Sequence, residues 1–233
     1  MLILLYIGLA VLLIGLIIAG TAYSRVRKII EKYSNQDIAV GISCLDFVNK
    51  CNQSFDLNLK LALTEKELQD CYIPKKKILV LSKKNANSSS ISAISVAGHE
   101  IGHAIQEKNG NFLLKLDNFF RKMYRILKIF IIPLIICGIV FMFFDKYFYA
   151  GVTCLLVVIG IWILSVITRC VTIPMEYEAS KIAYNILKDN HILTRSELKI
   201  TKKILNAAAL TYVGALFINI LNILRSIKYS FRR

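Results

Sequence analysis

Acidic residues are scarce: 15 Asp and Glu stand against 30 Lys and Arg, a formal net charge of +15 over 233 residues. Mean hydropathy is nevertheless high, +0.56. A soluble acidic or neutral enzyme does not look like this. The combination fits a membrane protein whose basic segments face an anionic lipid surface. No basic helix with interleaved aromatics occurs, which argues against nucleic acid as the partner of that charge. None of the six cysteines (Cys44, Cys51, Cys71, Cys137, Cys154, Cys170) forms a CxxC pair. That speaks against a disulfide framework and reads as apolar filling in a reducing compartment. No Lys or Arg precedes the first apolar run, Leu2 to Ala22, so the basic n-region of a signal peptide is missing. The run is long enough to span a bilayer core of ~30 Å.

Basic residues then mark one side of the membrane. Arg25, Arg27, Lys28 and Lys32 follow the first run, placing the next segment in the cytoplasm. Two further apolar runs, Ile126 to Phe144 and Phe148 to Thr168, are separated only by Asp145, Lys146 and Tyr147. That is a transmembrane hairpin with both ends on one side. Lys115, Arg121, Lys122, Arg125, Lys128 and Arg169 put those ends on the cytoplasmic side as well. A last apolar run, Ile204 to Leu224, has basic flanks on both sides, so it either spans or packs along the membrane.

Between the spans, 36–52 has helical periodicity. Leu57 to Leu63 and Lys77 to Ser82 read as strands, Asp70 to Pro74 as a turn. Ser88 to Ser90 caps the next helix. Pro174 opens a short amphipathic helix to about Lys188. The expected domains are a first span over 1–22 and a first half of the polar domain over 23–125. The hairpin over 126–168, a second half over 169–203 and an apolar helix over 204–224 complete them.

The chemistry concentrates in His99-Glu100-Ile-Gly-His103. Histidines four apart share a helix face and can hold one metal ion, with the adjacent glutamate placed to take a proton from its water. With three His and eight Glu in the chain, chance formation is on the order of one in a thousand. On a helical wheel Ser92, Ser95, His99, Gly102, His103 and Gln106 share one face, opposite Ile94, Ala97, Ile101, Ala104 and Ile105. The histidines are therefore expected on a polar surface lining a cleft.

A third ligand is required. Gln106 and Asn109 stand where a metzincin would need Gly and His, which removes that class. His191 lies in a polar stretch and reads as solvent-exposed. Glu176 and Glu178 remain. Glu176 shares a face with Ala179, Ser180, Ala183 and Leu187, a face small enough for close packing. Glu178 lies near Lys181 and reads as a solvated partner of it. Glu176 is the expected ligand and Ser180, one turn on, its supporting partner. The hairpin between His103 and Glu176 returns the chain to its starting side, so the three ligands can meet. Tyr184 and Tyr212 are candidate oxyanion donors, with ordinary packing the competing role for each. Strand 78–82, just before the metal helix, is expected to offer an edge to an extended substrate. The polar residues around the motif, Ser90 to Lys108, speak against cleavage inside the membrane.

The chain resembles the YugP-type neutral zinc metallopeptidases, a membrane gluzincin family. The resemblance rests on the 72–82 strand, Ala97 to Gln106, Glu176-Tyr-Glu-Ala-Ser180 and Ala207-Ala-Ala-Leu-Thr-Tyr-Val213. It implies a zinc-dependent membrane peptidase with His99, His103 and Glu176 as ligands and Glu100 as general base. Related HtpX-like gluzincins carry Asp where Ser180 stands.

The expected fold is a mainly α membrane protein, with a zincin-like metallopeptidase domain of helices and a small β-sheet interrupted by the hairpin. The expected function is zinc-dependent hydrolysis of peptide or membrane-proximal protein substrates. A multi-pass plasma-membrane chain would carry the site on its cytoplasmic side, against anionic lipids. The competing reading is a non-catalytic membrane scaffold that kept a metal-binding fold.

Overall fold

The computed structural model describes residues 13, 17, 20–22, 24–66 and 69–230, with the backbone alone at 221–230. Most of the expected span Leu2 to Ala22 lies outside the described residues. Helix α1 runs through 24–33. Then come α2 (Cys44–Ser54), β1 (Lys60–Thr64), β2 (Cys71–Ile73), β3 (Ile78–Ser82), α3 (Lys83–Ala86) and α4 (Ile91–Lys108). The remainder is helical: α5 (Phe112–Leu127), α6 (Ile131–Met142), α7 (Phe148–Asp189) and α8 (Arg195–Ser230). The protein is mainly helical with one small sheet, in keeping with the expected fold.

The sheet has the order β1-β3-β2, with β1 parallel and β2 antiparallel to β3. β3 therefore lies in the middle and offers no edge, which overturns the expectation for 78–82. Its composition accounts for this. Ile78-Leu79-Val80-Leu81 is apolar on both faces, with Leu79 and Leu81 fully buried, and such a strand belongs between neighbours. The free edge on the α4 side is β2, formed by residues expected to turn. Tyr72 and Ile73 favour extended backbone. Pro74 ends the strand, and the reversal falls on Lys75 and Lys77, both left-handed (φ 65° and 52°).

Helix α4 is capped by Ser90, whose side chain accepts from Ala93 N. Its Ile94, Ala97, Ile101 and Ala104 stripe is buried in the core with α2 and the sheet. The opposite face is covered as well. Ser92, Ser95 and Gln106 are all buried, because α7 and α8 pack over it. Ser95 Oγ lies 2.9 Å from Thr201 Oγ1 of α8. Much of the expected polar face is thus a packed interface, and His99 and Glu100 border a cavity beside it. A wheel shows which residues share a face, not what lies on it.

Two glycines set the spacing of that interface. Gly98 faces Leu187 and Ala183 at ordinary contact distance. At Gly102 a methyl group would overlap the Ala179 carbonyl oxygen and come within 3.2 Å of Ala179 Cα. Backbone meets backbone there, which brings the α7 face carrying Glu176 against the histidines.

Helix α7 is continuous for 42 residues, so Pro174 does not open a new helix. An internal proline costs about 3 kcal/mol or more. Here its ring lies on the exposed side, while Met175, Ala179, Ala183 and Leu187 on the other side are buried. Their packing outweighs the lost hydrogen bond. At 1.5 Å per residue, Phe148 to Glu176 spans roughly 42 Å, beyond a bilayer core of ~30 Å. The hairpin before it closes tightly: a methyl on Gly151 would lie 2.7 Å from the Gly138 carbonyl oxygen. Among the described residues three helical stretches are long and apolar enough to cross a membrane: Phe112–Met142, Asp145–Asp189 and Arg195–Ile220. The last settles that the C-terminal apolar segment has the length of a span.

A reciprocal cap anchors α8. Thr194 Oγ1 accepts from Glu197 N, and Glu197 Oε2 accepts from Thr194 N at 2.7 Å. The second oxygen of Glu197 accepts from Ala39 N, tying the segment after α1 to the start of α8.

Candidate metal centre

Helix geometry brings His99 and His103 together, and the Gly102 contact adds Glu176. His99 Nε2 and His103 Nε2 lie 3.2 Å apart. Glu176 Oε2 is 3.0 Å from the first and 3.4 Å from the second. All three side chains are largely buried, at 13, 12 and 7 % exposure. Two imidazoles and a carboxylate converging on one point are the donor set of a catalytic zinc site with a place left for water, so the residues fit zinc.

The outer ring nitrogens are also engaged. His99 Nδ1 is 3.1 Å from Ser180 Oγ. His103 Nδ1 is 3.0 Å from Gln106 Oε1. Gln106 Nε2 donates to the Met175 carbonyl at 3.0 Å and to Glu178 Oε2 at 3.2 Å, which identifies Oε1 as the acceptor. His103 Nδ1–H therefore donates to Gln106, which leaves Nε2 as the nitrogen that faces His99 and Glu176.

Glu178 is not a solvated partner of Lys181. Its carboxylate accepts from Gln106 and, at 2.8 Å, from Asn111 Nδ2. Asn111 also caps α5. The two glutamates of Glu176-Tyr-Glu178 thus divide the work: the first joins the histidines, the second fixes the amide that orients one of them. Gln106 lies on the histidine face three residues after His103, so its place was visible in the spacing. Its partners, 69 and 72 residues away, were not.

Glu100 points to the sheet side. Its Oε2 accepts from Tyr72 N of β2 at 2.7 Å. Tyr72 OH hydrogen-bonds Glu107, two turns further along the same face of α4, and Lys75 N donates to the same carboxylate. β2 is thereby clasped to α4 along its free edge. Loss of solvation pushes the Glu100 carboxyl above the usual carboxylate range; the nearby imidazoles and the Tyr72 N–H offset this only in part. Glu176 behaves oppositely. Burial would raise it, but its contacts with His103 and His99 hold it below the usual range.

The two tyrosines separate. Tyr212 of α8 stands beside Glu176 and Glu100 and lines one cavity with His99 and Glu100. Tyr184 packs against the core and lines a different cavity with Ser180 and Lys202. His191 is exposed, in left-handed conformation just past α7. Cys44 and Cys51 are buried, and burial pushes both thiols up to about 12, as inert filling requires.

Residues 8–230 match the family described as "Putative neutral zinc metallopeptidase". The chain is 30 % identical over 226 residues to the protein of Bacillus subtilis (strain 168) described as "Putative membrane protease YugP", covering 95 % of this chain and 94 % of that one. No solved structure matches the chain. The family implies Zn²⁺ as cofactor, and the His99, His103 and Glu176 group supplies donors suited to it. The membrane-protease relative and the three apolar helices together indicate membrane association. A match over nearly the whole length, on a chain with this donor group, places the protein in the neutral zinc metallopeptidase family.

Proposed function

We propose that the protein is a gluzincin-type endopeptidase of the plasma membrane. Its several spans hold the site at the cytoplasmic surface, where it hydrolyses unfolded or membrane-proximal chains. The observation that carries this reading is the convergence of His99, His103 and Glu176 with Glu100 alongside. Zinc held by the first three would acidify the attacking water towards a pKa of ~7 and polarise the scissile carbonyl. Glu100 then takes the proton of that water and returns it to the leaving amine. The Tyr72 N–H fixes which way the Glu100 carboxylate faces, while Ser180 and Gln106 hold the two rings. Tyr212 is the donor that faces charge developing on the substrate oxygen. A scaffold could use Glu100 to hold β2 through Tyr72 N, so it is the proteolysis of the Glu100→Gln protein that separates the two readings.

The cytoplasmic side follows from the basic residues on the site-bearing ends of the apolar helices. A phosphatase reporter fused after Lys32 should stay inactive there; an active fusion would move the site to the outer face. The activity is tested with full-length zinc-loaded protein in anionic nanodiscs and a denatured reporter protein. Chelation should stop cleavage and added zinc should restore it. Cleavage indifferent to chelation would contradict the reading.

A further inference from the structure

Helices α7 and α8 leave a basic groove between them, beyond the apolar run of α7. The part nearer the membrane is a cavity of about 250 Å³ lined by Lys181 and Lys202, with the buried Ser180 and Leu205 beneath them. The part further out, about 610 Å³, is lined by Lys188, Arg195 and Lys199, with His191 beside them. Tyr184 borders both, so the two form one groove. Five permanent cations thus line it against a single carboxylate, Asp189. Among the described residues none of the five has an ion pair. Leu193, Leu198 and Leu205 are buried and make the floor. Tyr177, Asn185 and Asn206 add neutral donors along the nearer part.

We infer that this groove is a second substrate site, which holds an acidic stretch of a protein chain away from the scissile bond. The inference rests on the endopeptidase reading above. Charge gives the first reason. Lysine and arginine side chains without internal partners, set along one groove, attract a run of aspartate or glutamate. Length gives the second. From Arg195 to Asn206 the groove follows α8 for roughly 16 Å, which matches about five residues of extended chain. Position gives the third. Ser180 Oγ meets His99 Nδ1 at 3.1 Å, and Leu205 lines both this groove and the cavity bordered by His99 and Glu100. A chain lying in the groove is therefore a neighbour of the metal ligands, which ties its occupant to the substrate.

Height above the membrane argues against a lipid as the occupant. The apolar run of α7 ends at Thr168, before Arg169. Lys181 and Lys188 stand roughly 18 and 28 Å further along the helix. The headgroup layer adds only about 5–8 Å to each side of the bilayer core. The cations of the groove are therefore out of reach of the lipid phosphates that the basic residues nearer the membrane face. Substrates with an acidic stretch near the cleaved segment are the ones the groove favours.

The test uses full-length, zinc-loaded protein in phosphatidylcholine nanodiscs, which carry no net charge. Two labelled peptides differ only in a run of about five glutamates against glutamines, matched to the groove. Binding is measured by polarisation in the Glu100→Gln background, where turnover does not interfere. The acidic peptide should bind about tenfold more tightly or better at low salt, and the advantage should shrink as salt is added. Lys188→Glu with Lys199→Glu should remove the advantage. Lys50→Glu with Lys60→Glu, an equal change of charge elsewhere on the surface, should leave it within a few-fold. Equal affinities for the two peptides, or equal effects of the two double variants, would overturn the groove. So would tighter binding of a single-stranded oligonucleotide of equal charge, or phosphatidylserine that co-purifies with wild type and not with Lys188→Glu/Lys199→Glu. Cleavage by the Glu100 protein separates the two readings. An acidic stretch fused beside the denatured reporter should lower KM with kcat unchanged, and Lys188→Glu/Lys199→Glu should erase that gain. Zinc-dependent cleavage indifferent to the stretch removes the groove alone. Selective peptide binding without any cleavage keeps the groove and removes the endopeptidase.

Discussion

Glu100→Gln should leave zinc bound and lower proteolysis by about 10²- to 10⁴-fold, the contribution of a positioned general base. The amide matches the carboxylate in shape, and its oxygen can still accept from the Tyr72 N–H that Glu100 Oε2 meets at 2.7 Å. β2 should therefore stay against α4, and the fold should survive. What disappears is the capacity to take a proton. Glutamine cannot accept one from water or return it to an amine. Because Glu100 is not one of the three converging donors, zinc content should match the wild type. The measurement is initial rate on a denatured reporter together with zinc per chain. A wild-type rate in the zinc-loaded variant would remove Glu100 from the mechanism.

Gly102→Ala should weaken metal binding at the site although no ligand is touched. The added methyl would overlap the Ala179 carbonyl oxygen, which is backbone and cannot swing aside. Helix α7 must retreat, and Glu176 and Ser180 ride on the turns that retreat. A shift of about 1 Å at a catalytic constellation is worth on the order of 10²-fold, and overpacking adds about 1–3 kcal/mol of instability. Gly98→Ala is the control. Its methyl would meet the Leu187 Cδ1 at 3.4 Å, the end of a flexible side chain. Zinc affinity by chelator competition should fall at least tenfold for Gly102→Ala and stay within a few-fold for Gly98→Ala. Equal behaviour of the two would mean that the α4–α7 approach does not set the site.

The contrast between those glycines shows what a sequence holds and what it withholds. Spacing alone places His99 and His103 on one face, because 3.6 residues per turn is a property of any helix. Small neighbours distinguish Glu176 from Glu178, because a ligand must ride a face that packs closely. Neither inference needs a distant partner. Gln106 does: its amide is meaningful only once Met175 and Glu178 arrive, from a helix beyond the membrane hairpin. Glu178 was misread for the same reason. A charge near Lys181 looks solvated until Gln106 and Asn111 are placed against it.

The sheet errors have a similar source. Pro74 signals a turn, yet Cys71–Ile73 is extended because β3 is there to pair with it and Glu107 holds the Tyr72 hydroxyl. Pro174 signals a helix start, yet α7 runs through it because the packed side of the helix lies on α4. Local rules were overruled each time by a partner supplied from elsewhere in the chain. The strand expected to border the site was β3; the one that does is β2.

Division of labour between Glu176 and Glu178 is the point on which the account stands. Zinc per chain, measured on purified full-length protein, tests it with two variants. Glu176→Ala removes a converging donor, whereas Glu178→Gln keeps an acceptor for Gln106 and Asn111. The account predicts that Glu176→Ala retains almost no zinc and that Glu178→Gln retains about as much as the wild type. Zinc retained in Glu176→Ala and lost in Glu178→Gln would contradict it.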